Sequence, residues 1–192
     1  MNIKAFLSGA AFAAIVAVGP AGAGDLLVNG GFENGNFSGW SWTGDADFTG
    51  VGYDPSFAEG GSFYVYAGGP IGSDGYLSQS FADTAGAALT VSGWINGDGA
   101  GYSEVGLYWD GAPVVFLSPV PATDGWERIS AVVTATGFDT FAVGFRDDPS
   151  YVFLDNFAVS TPELSTWTMT LAGFAGLGFA AMSARRRPGN PA

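Results

Sequence analysis

The chain has 192 residues, a net charge of −12 from 18 acidic against 6 basic residues, and neither cysteine nor histidine. This composition excludes a disulfide scaffold, a thiol nucleophile, a Ser-His-Asp triad and a zinc site built from the usual cysteine and histidine ligands. Its 31 glycines are about twice the average share, which favours many turns and short strands over long helices.

Residues 1–23 have the organisation of a secretory signal peptide. Lys4 supplies the positive charge, residues 5–18 form an uncharged apolar run, and Ala21 and Ala23 are the small residues that signal peptidase requires. We expect export of the chain with cleavage after Ala23. A buried N-terminal helix is the alternative, but the order of charged, apolar and small residues is specific to export signals.

Residues 24–160 have the length of one domain and the hydrophobic pattern of β-strands. Apolar residues alternate with polar or small ones, and Asn-Gly and Asp-Gly turn signals separate the runs. The sequence predicts eight to ten short strands in an all-β, antiparallel jelly-roll β-sandwich, with a tight hairpin at Asp110-Gly111. The alternating runs are Leu89–Ile95, Val105–Trp109, Ile129–Ala135, Phe141–Phe145 and Tyr151–Val159.

The predicted domain is strongly acidic. Of the acidic residues only Glu163 lies outside it, whereas Arg128 and Arg146 are its only basic residues, which gives the domain a net charge of −15. Such a surface repels nucleic acid and anionic lipid and attracts cations. We therefore expect no nucleic-acid partner.

Several segments of the domain resemble galactose-binding-like jelly rolls, including several carbohydrate-binding modules. In those modules the positions of Glu33 and Asp155 help to bind a structural calcium ion, for which six to eight oxygen ligands are needed. The resemblance therefore implies a calcium site at these two residues, on the first and last predicted strands. The alternative is that Glu33 caps a turn and Asp155 accepts hydrogen bonds from loop amides. The resembling segments are 26–33, 37–40, 76–81 and 153–159.

Exposed aromatic side chains are the second group of candidate binding residues. Sugar-binding modules stack pyranose rings on such side chains, because the apolar C–H faces of a sugar meet a π-surface. Most aromatic residues in a sandwich of this size belong to the core, and we assign Trp40 and Trp94 to it. The aromatic residues that we predict to bind ligand are Trp42, Tyr53, Tyr66 and Trp109.

The C-terminal residues contain a second apolar segment. Residues 167–184 carry no charge and would form about 27 Å of helix, close to the ~30 Å of a bilayer core. Arg185, Arg186 and Arg187 follow, and a basic cluster stays on the cytoplasmic side. We expect a single transmembrane helix that leaves the preceding domain outside the inner membrane, on its periplasmic side.

Residues 161–188 resemble the PEP-CTERM sorting signal, in the variant with a tryptophan after the motif. Pro162, Glu163 and Trp167 carry the motif at 162–167, with Leu164 in place of the second proline, and a tail of residues 189–192 follows the basic end at 185–187. The resemblance implies that an exosortase-type membrane enzyme removes this segment. It further implies delivery to the cell surface or the exopolysaccharide matrix.

No catalytic motif accompanies these signals. Paired carboxylates hydrolyse glycosides in many enzymes, but no acidic residue lies in an identifiable catalytic pattern, and nucleophile elbows and phosphate-binding loops are absent. We expect a non-catalytic surface or matrix protein that binds polysaccharide. The alternatives are a structural or adhesive protein without a sugar site and, more remotely, a glycoside-acting enzyme.

Overall fold

Residues 24–69, 72 and 74–161, the part of the chain that the computed structural model describes, form ten β-strands and no helix. The predicted number of strands is therefore confirmed for these residues. The strands are β1 (Ser41–Thr43), β2 (Thr49–Tyr53), β3 (Phe63–Gly68), β4 (Gly75–Ala82), β5 (Ala88–Asn96), β6 (Tyr102–Trp109), β7 (Ala112–Leu117), β8 (Glu127–Thr134), β9 (Phe138–Asp148) and β10 (Tyr151–Ser160).

The strands form two antiparallel sheets of five, which confirms the predicted β-sandwich. The front sheet has the order β1-β4-β9-β6-β7, and the back sheet has the order β2-β3-β10-β5-β8. Most neighbours within a sheet are distant in sequence, so the chain crosses repeatedly between the sheets. The predicted hairpin joins β6 to β7, where Asp110 and Gly111 adopt φ values of 50° and 79° as a tight primed turn requires.

The core lies between the two sheets because every second residue of each strand points inward. Phe32, Phe141 and Phe157 are its largest fully buried side chains. Trp40 stacks on Phe32 with ring centroids 5.7 Å apart, so its assignment to the core is confirmed. Trp94 was also predicted to belong to the core, but it lies half-buried on the outer face of the back sheet. Its neighbours Gly93 and Ile95 take the buried positions of β5.

Both ends of the domain lie side by side. Asp25 forms an isolated β-bridge with Ser160, and its carboxylate accepts hydrogen bonds from the amides of Leu27 and Val159, each at 3.0 Å. No helix of the described residues is long and apolar enough to cross a membrane. The predicted signal peptide at 1–23 and the predicted sorting segment from Pro162 onward lie outside the described residues.

Candidate ligand-binding face

The outer face of the front sheet carries a row of two aromatic rings separated by two glycines. Strand pairing places Tyr76 beside Gly144, Gly144 beside Gly106, and Gly106 beside Phe116. Tyr76 is 43% exposed and Phe116 is 52% exposed. This arrangement, called the front face below, is a shallow depression with an aromatic residue at either side and two glycines between them.

The two glycines allow tyrosine rings to lie against the sheet. A Cβ on Gly144 would come within 2.8 Å of Tyr76 Cε1 and 2.9 Å of Tyr108 Cε2, and a Cβ on Gly106 would come within 2.6 Å of Tyr108 Cε2. The two tyrosine rings meet edge to face, with centroids 6.1 Å apart. Burial raises the pKa of Tyr108, so its hydroxyl stays neutral and can donate a hydrogen bond.

A guanidinium group borders the depression. Arg146 Nε donates to Asp148 Oδ2 at 2.7 Å, and one terminal nitrogen lies 2.6 Å from the same oxygen. The other terminal nitrogen lies 3.7 Å from Asp74, and the guanidinium carbon lies 4.5 Å from the centroid of the Tyr102 ring. The hydrogen bond to Asp148 raises the pKa of Arg146 further above its ordinary value. Arg146 is therefore fixed in place and permanently charged.

A carboxylate lies next to this guanidinium. Glu104 is directly opposite Arg146 in the pairing of β6 with β9, but the ion pairs of Arg146 are made with Asp74 and Asp148 instead. The hydroxyls of Tyr102 and Ser118 both donate to Glu104 Oε1. The bond to Glu104 raises the pKa of Tyr102, so that phenol also stays protonated. Within the described residues, no side chain or amide donates to Glu104 Oε2.

The structure separates the aromatic residues that the sequence predicted to bind ligand. Trp42 is 37% exposed and pairs with Leu77 at the edge of the front sheet, where it packs on Phe37. Tyr53, 67% exposed, and half-buried Tyr66 belong to the back sheet. None of the three lies on the front face.

The prediction for Trp109 is corrected by the structure. Trp109 is only 7% exposed and belongs to the hydrophobic core. It continues the inward positions of β6 after Val105 and Leu107, so its ring offers no exposed face to a ligand. Its indole nitrogen has no hydrogen-bond partner among the described residues.

Glu33 and Asp155 both hold the loop between β2 and β3. Asp155 is fully buried, and its carboxylate accepts hydrogen bonds from the amides of Glu59, Gly60 and its own neighbour Asn156, at 3.0, 3.4 and 2.7 Å. Burial raises the pKa of Asp155 to about 6. These contacts match the hydrogen-bonding alternative that the sequence left open.

Glu33 does not lie on a strand as the sequence predicted. It follows Phe32, whose φ of 58° belongs to a turn, and its carboxylate accepts the amides of Ser62 and Phe63 at 2.9 and 3.0 Å. A Cβ on Gly61 would come within 2.3 Å of this carboxylate, so the loop backbone approaches it closely. Within the described residues, no group of three or more acidic side chains is arranged to hold a metal ion.

Comparison with known proteins shows the fold. No protein-family model matches the chain, and no curated protein matches it. The solved structure of TmCBM61 in complex with β-1,4-galactotriose has a TM-score of 0.60 and 22% identity, over 71% of this chain and 98% of that one. At this identity the likeness shows a shared jelly-roll sandwich.

Two further solved structures share this sandwich. The Stig cyclase Fisc from Fischerella sp. TAU, in complex with an indole ligand, has a TM-score of 0.54 and 16% identity, over 73% of this chain and 98% of that one. The enzymatically active domain of bacteriophage CBA120 tailspike protein 4 has a TM-score of 0.55 and 13% identity, over 71% of this chain and 21% of that one. Structures of the same fold thus include enzymes as well as a carbohydrate-binding module.

Proposed function

We propose that the domain is a non-catalytic module that binds polysaccharide on the front face. The observation that carries the proposal is the row of Tyr76, Gly144, Gly106 and Phe116, in which two exposed rings border two glycines and the glycines let the tyrosine rings lie flat against the sheet. Sugar rings have apolar C–H faces that pack on aromatic surfaces, and their hydroxyls need both donors and acceptors. The similar TmCBM61 structure holds β-1,4-galactotriose, which gives the proposal further support.

The polar groups of the front face complete the proposed site. In the proposed complex, Arg146 and the Tyr108 hydroxyl donate hydrogen bonds to the sugar. Glu104 accepts hydrogen bonds from the sugar through Oε2, to which no described residue donates. Because Asp148 and Tyr102 already fix Arg146, little side-chain entropy is lost when a sugar binds. The site is shallow and open, so we expect it to bind an internal stretch of a chain.

Affinity electrophoresis of the purified protein tests this function. We expect retardation in gels that contain a polysaccharide such as β-1,4-galactan, xylan or hydroxyethylcellulose. Uniform migration in all gels would contradict binding and favour the structural or adhesive role. Release of reducing sugars by the purified protein would contradict the non-catalytic assignment.

We propose further that the protein is exported and sorted by an exosortase-type enzyme. The support is the sequence of residues 1–23 and 161–188 together with the bridge between Asp25 and Ser160, which places the first and last residues of the described domain side by side. Tyr76 lies at the start of β4 and Arg146 near the end of β9, just before β10 begins, whereas Ser160 of the bridge is the last residue of β10.

Mass spectrometry of the protein recovered from the producing cells tests the sorting proposal. We expect a chain that begins at Gly24 and ends near Pro162, because signal peptidase and the sorting enzyme each remove one segment. Recovery of the intact 192-residue chain from the cytosol would contradict both steps.

We also propose a structural calcium ion at the loop that Glu33 and Asp155 hold. Asp155 accepts hydrogen bonds from three amides and Glu33 from two, so each carboxylate retains a vacant lone pair of the hard-oxygen type that calcium prefers. A bound cation would also neutralise the buried charge of Asp155. When bound, calcium would link the loop to the start and the end of the domain.

Thermal unfolding with and without a chelator tests the calcium proposal. At calcium concentrations about 100-fold above Kd, binding adds about 2.7 kcal/mol, so we expect a chelator to lower the Tm by several degrees. Asp155→Asn should abolish this shift, whereas Asp147→Asn, at another buried acid, should retain it. An unchanged Tm of the wild type would remove calcium from the account.

A further inference from the structure

We infer that Glu104 makes the front face selective for uncharged glycans over glycans that carry carboxylate or sulfate groups, an inference that rests on the proposed function. An acidic matrix polysaccharide would then not be the ligand. The inference depends on how the charges of the front face are distributed among its side chains.

The positive charge of the front face is already balanced by the protein. Arg146 makes two contacts with Asp148, at 2.7 and 2.6 Å, and Asp148 is only 5% exposed, so this pair is shielded from solvent. A remaining terminal nitrogen lies 3.7 Å from Asp74, whose side chain is 55% exposed. An anionic ligand that approached Arg146 would therefore meet two carboxylates that are already in place.

The charge of Glu104 is not balanced in this way. Its partners among the described residues are the neutral hydroxyls of Tyr102 and Ser118, which both donate to Oε1. Glu104 Oε2 is left as an acceptor at the edge of the depression. A sugar hydroxyl donates to such an oxygen, whereas a carboxylate or sulfate has no hydrogen to donate and is repelled by the charge.

The described residues in and around the front face thus include three carboxylates, those of Asp74 and Glu104 and the buried one of Asp148, against the one guanidinium of Arg146. This excess of negative over positive charge disfavours the binding of an anion. Repulsion between like charges on a protein and a ligand is a common means of rejecting a wrong ligand. We expect a preference for neutral glycan of at least about tenfold at low ionic strength. High salt should reduce this preference, since the Debye length falls from about 10 Å at 0.1 M to about 3 Å at 1 M.

The test compares each neutral glycan with its own charged derivative. β-1,4-Galactan, xylan and hydroxyethylcellulose are used in unmodified and carboxymethylated form, with wild type, Glu104→Gln and Glu127→Gln. Glutamine keeps the shape and an acceptor oxygen but removes the charge. Glu127→Gln is the matched control, because Glu127 is an exposed acid on the back sheet and its loss changes the net charge of the protein equally.

We expect the wild type and Glu127→Gln to bind the neutral form at least about tenfold more tightly than the charged form, and Glu104→Gln to narrow this ratio at least about threefold, whatever its effect on the affinity for the neutral form. Equal binding of both forms by the wild type would overturn the inference while leaving the proposed function intact. A ratio of neutral to charged binding that is the same in Glu104→Gln as in Glu127→Gln would also overturn it. No binding of any glycan in either form would overturn the proposed function itself.

Discussion

Replacing Tyr76 by alanine is expected to weaken polysaccharide binding at least about tenfold, a loss of about 1.4 kcal/mol. The ring forms one wall of the front face, is 43% exposed, and supports the Tyr108 ring 6.1 Å away. Truncating an aromatic residue at the centre of a binding surface removes both its contact area and the exclusion of water from its neighbours. Tyr76→Phe keeps the ring and should bind within about threefold of the wild type.

Isothermal titration with the best-binding glycan measures this effect, and Tyr53→Ala provides the matched control. Tyr53 is also a tyrosine near the end of a strand and is 67% exposed, but it belongs to the back sheet. We expect its affinity to remain that of the wild type. If Tyr53→Ala weakens binding while Tyr76→Ala does not, the ligand binds to the back sheet and the front face is the wrong site.

The second large effect is expected at Asp147, an acid only 1% exposed at the end of β9. Burial, with the nearby charges of Asp98 and Asp148, raises the pKa of Asp147 from 3.8 to about 6. Its Oδ1 has no hydrogen-bond partner among the described residues. The folded state therefore binds a proton at Asp147 more tightly than the unfolded state does. The stability that this proton gives is complete below pH 3.8 and is lost as the pH rises through about 6, a change of up to about 3 kcal/mol.

Asp147→Asn should remove this dependence, because asparagine does not ionise. We expect the variant to gain stability relative to the wild type between pH 4 and pH 7, by up to about 3 kcal/mol, and the difference to level off above pH 7. Urea unfolding at a series of pH values measures it. Asp124→Asn, at an exposed acid, should show a small difference at every pH. If the free energies of unfolding of the wild type and Asp147→Asn differ by the same amount at every pH, Asp147 does not titrate in this range.

The alternation of side chains along strands was predictable from the sequence. Val105, Leu107 and Trp109 were expected to follow one another on a single face, and the structure buries all three. The error lay in selecting Trp109 as a ligand residue although its own strand pattern placed it inside. A tryptophan at an inward position of a strand belongs to the core even when a turn follows it.

The front face was not predictable, because the pairing of distant strands creates it. Tyr76, Gly106, Phe116 and Gly144 lie on four strands, and two of the three pairings that join these strands, β4 with β9 and β9 with β6, are between strands that are not consecutive in sequence. The local sequence sets which residues share a face, but not which residue of one strand lies beside which of another. The one available signal was Arg146, one of only two basic residues of the domain.

The pair Glu33 and Asp155 was found through family resemblance rather than through local pattern. The structure places both at the loop before β3, although Glu33 lies in a turn. Asn29 shapes that turn: its side chain donates to the carbonyls of Asn36 and Ser38. Side chains of this kind compete with strand formation for backbone hydrogen bonds. The prediction that Glu33 lies on a strand was wrong because this turn was not recognised in the sequence.

The most direct test of the front face is an NMR titration of the labelled protein with an oligosaccharide of the glycan that binds best. The account predicts that the amide signals of Gly106, Gly144 and Tyr76 shift in a saturable way, while those of Gly50 and Tyr66 on the back sheet stay in place. Saturable shifts confined to the back sheet, or no shifts at saturating ligand, would contradict it.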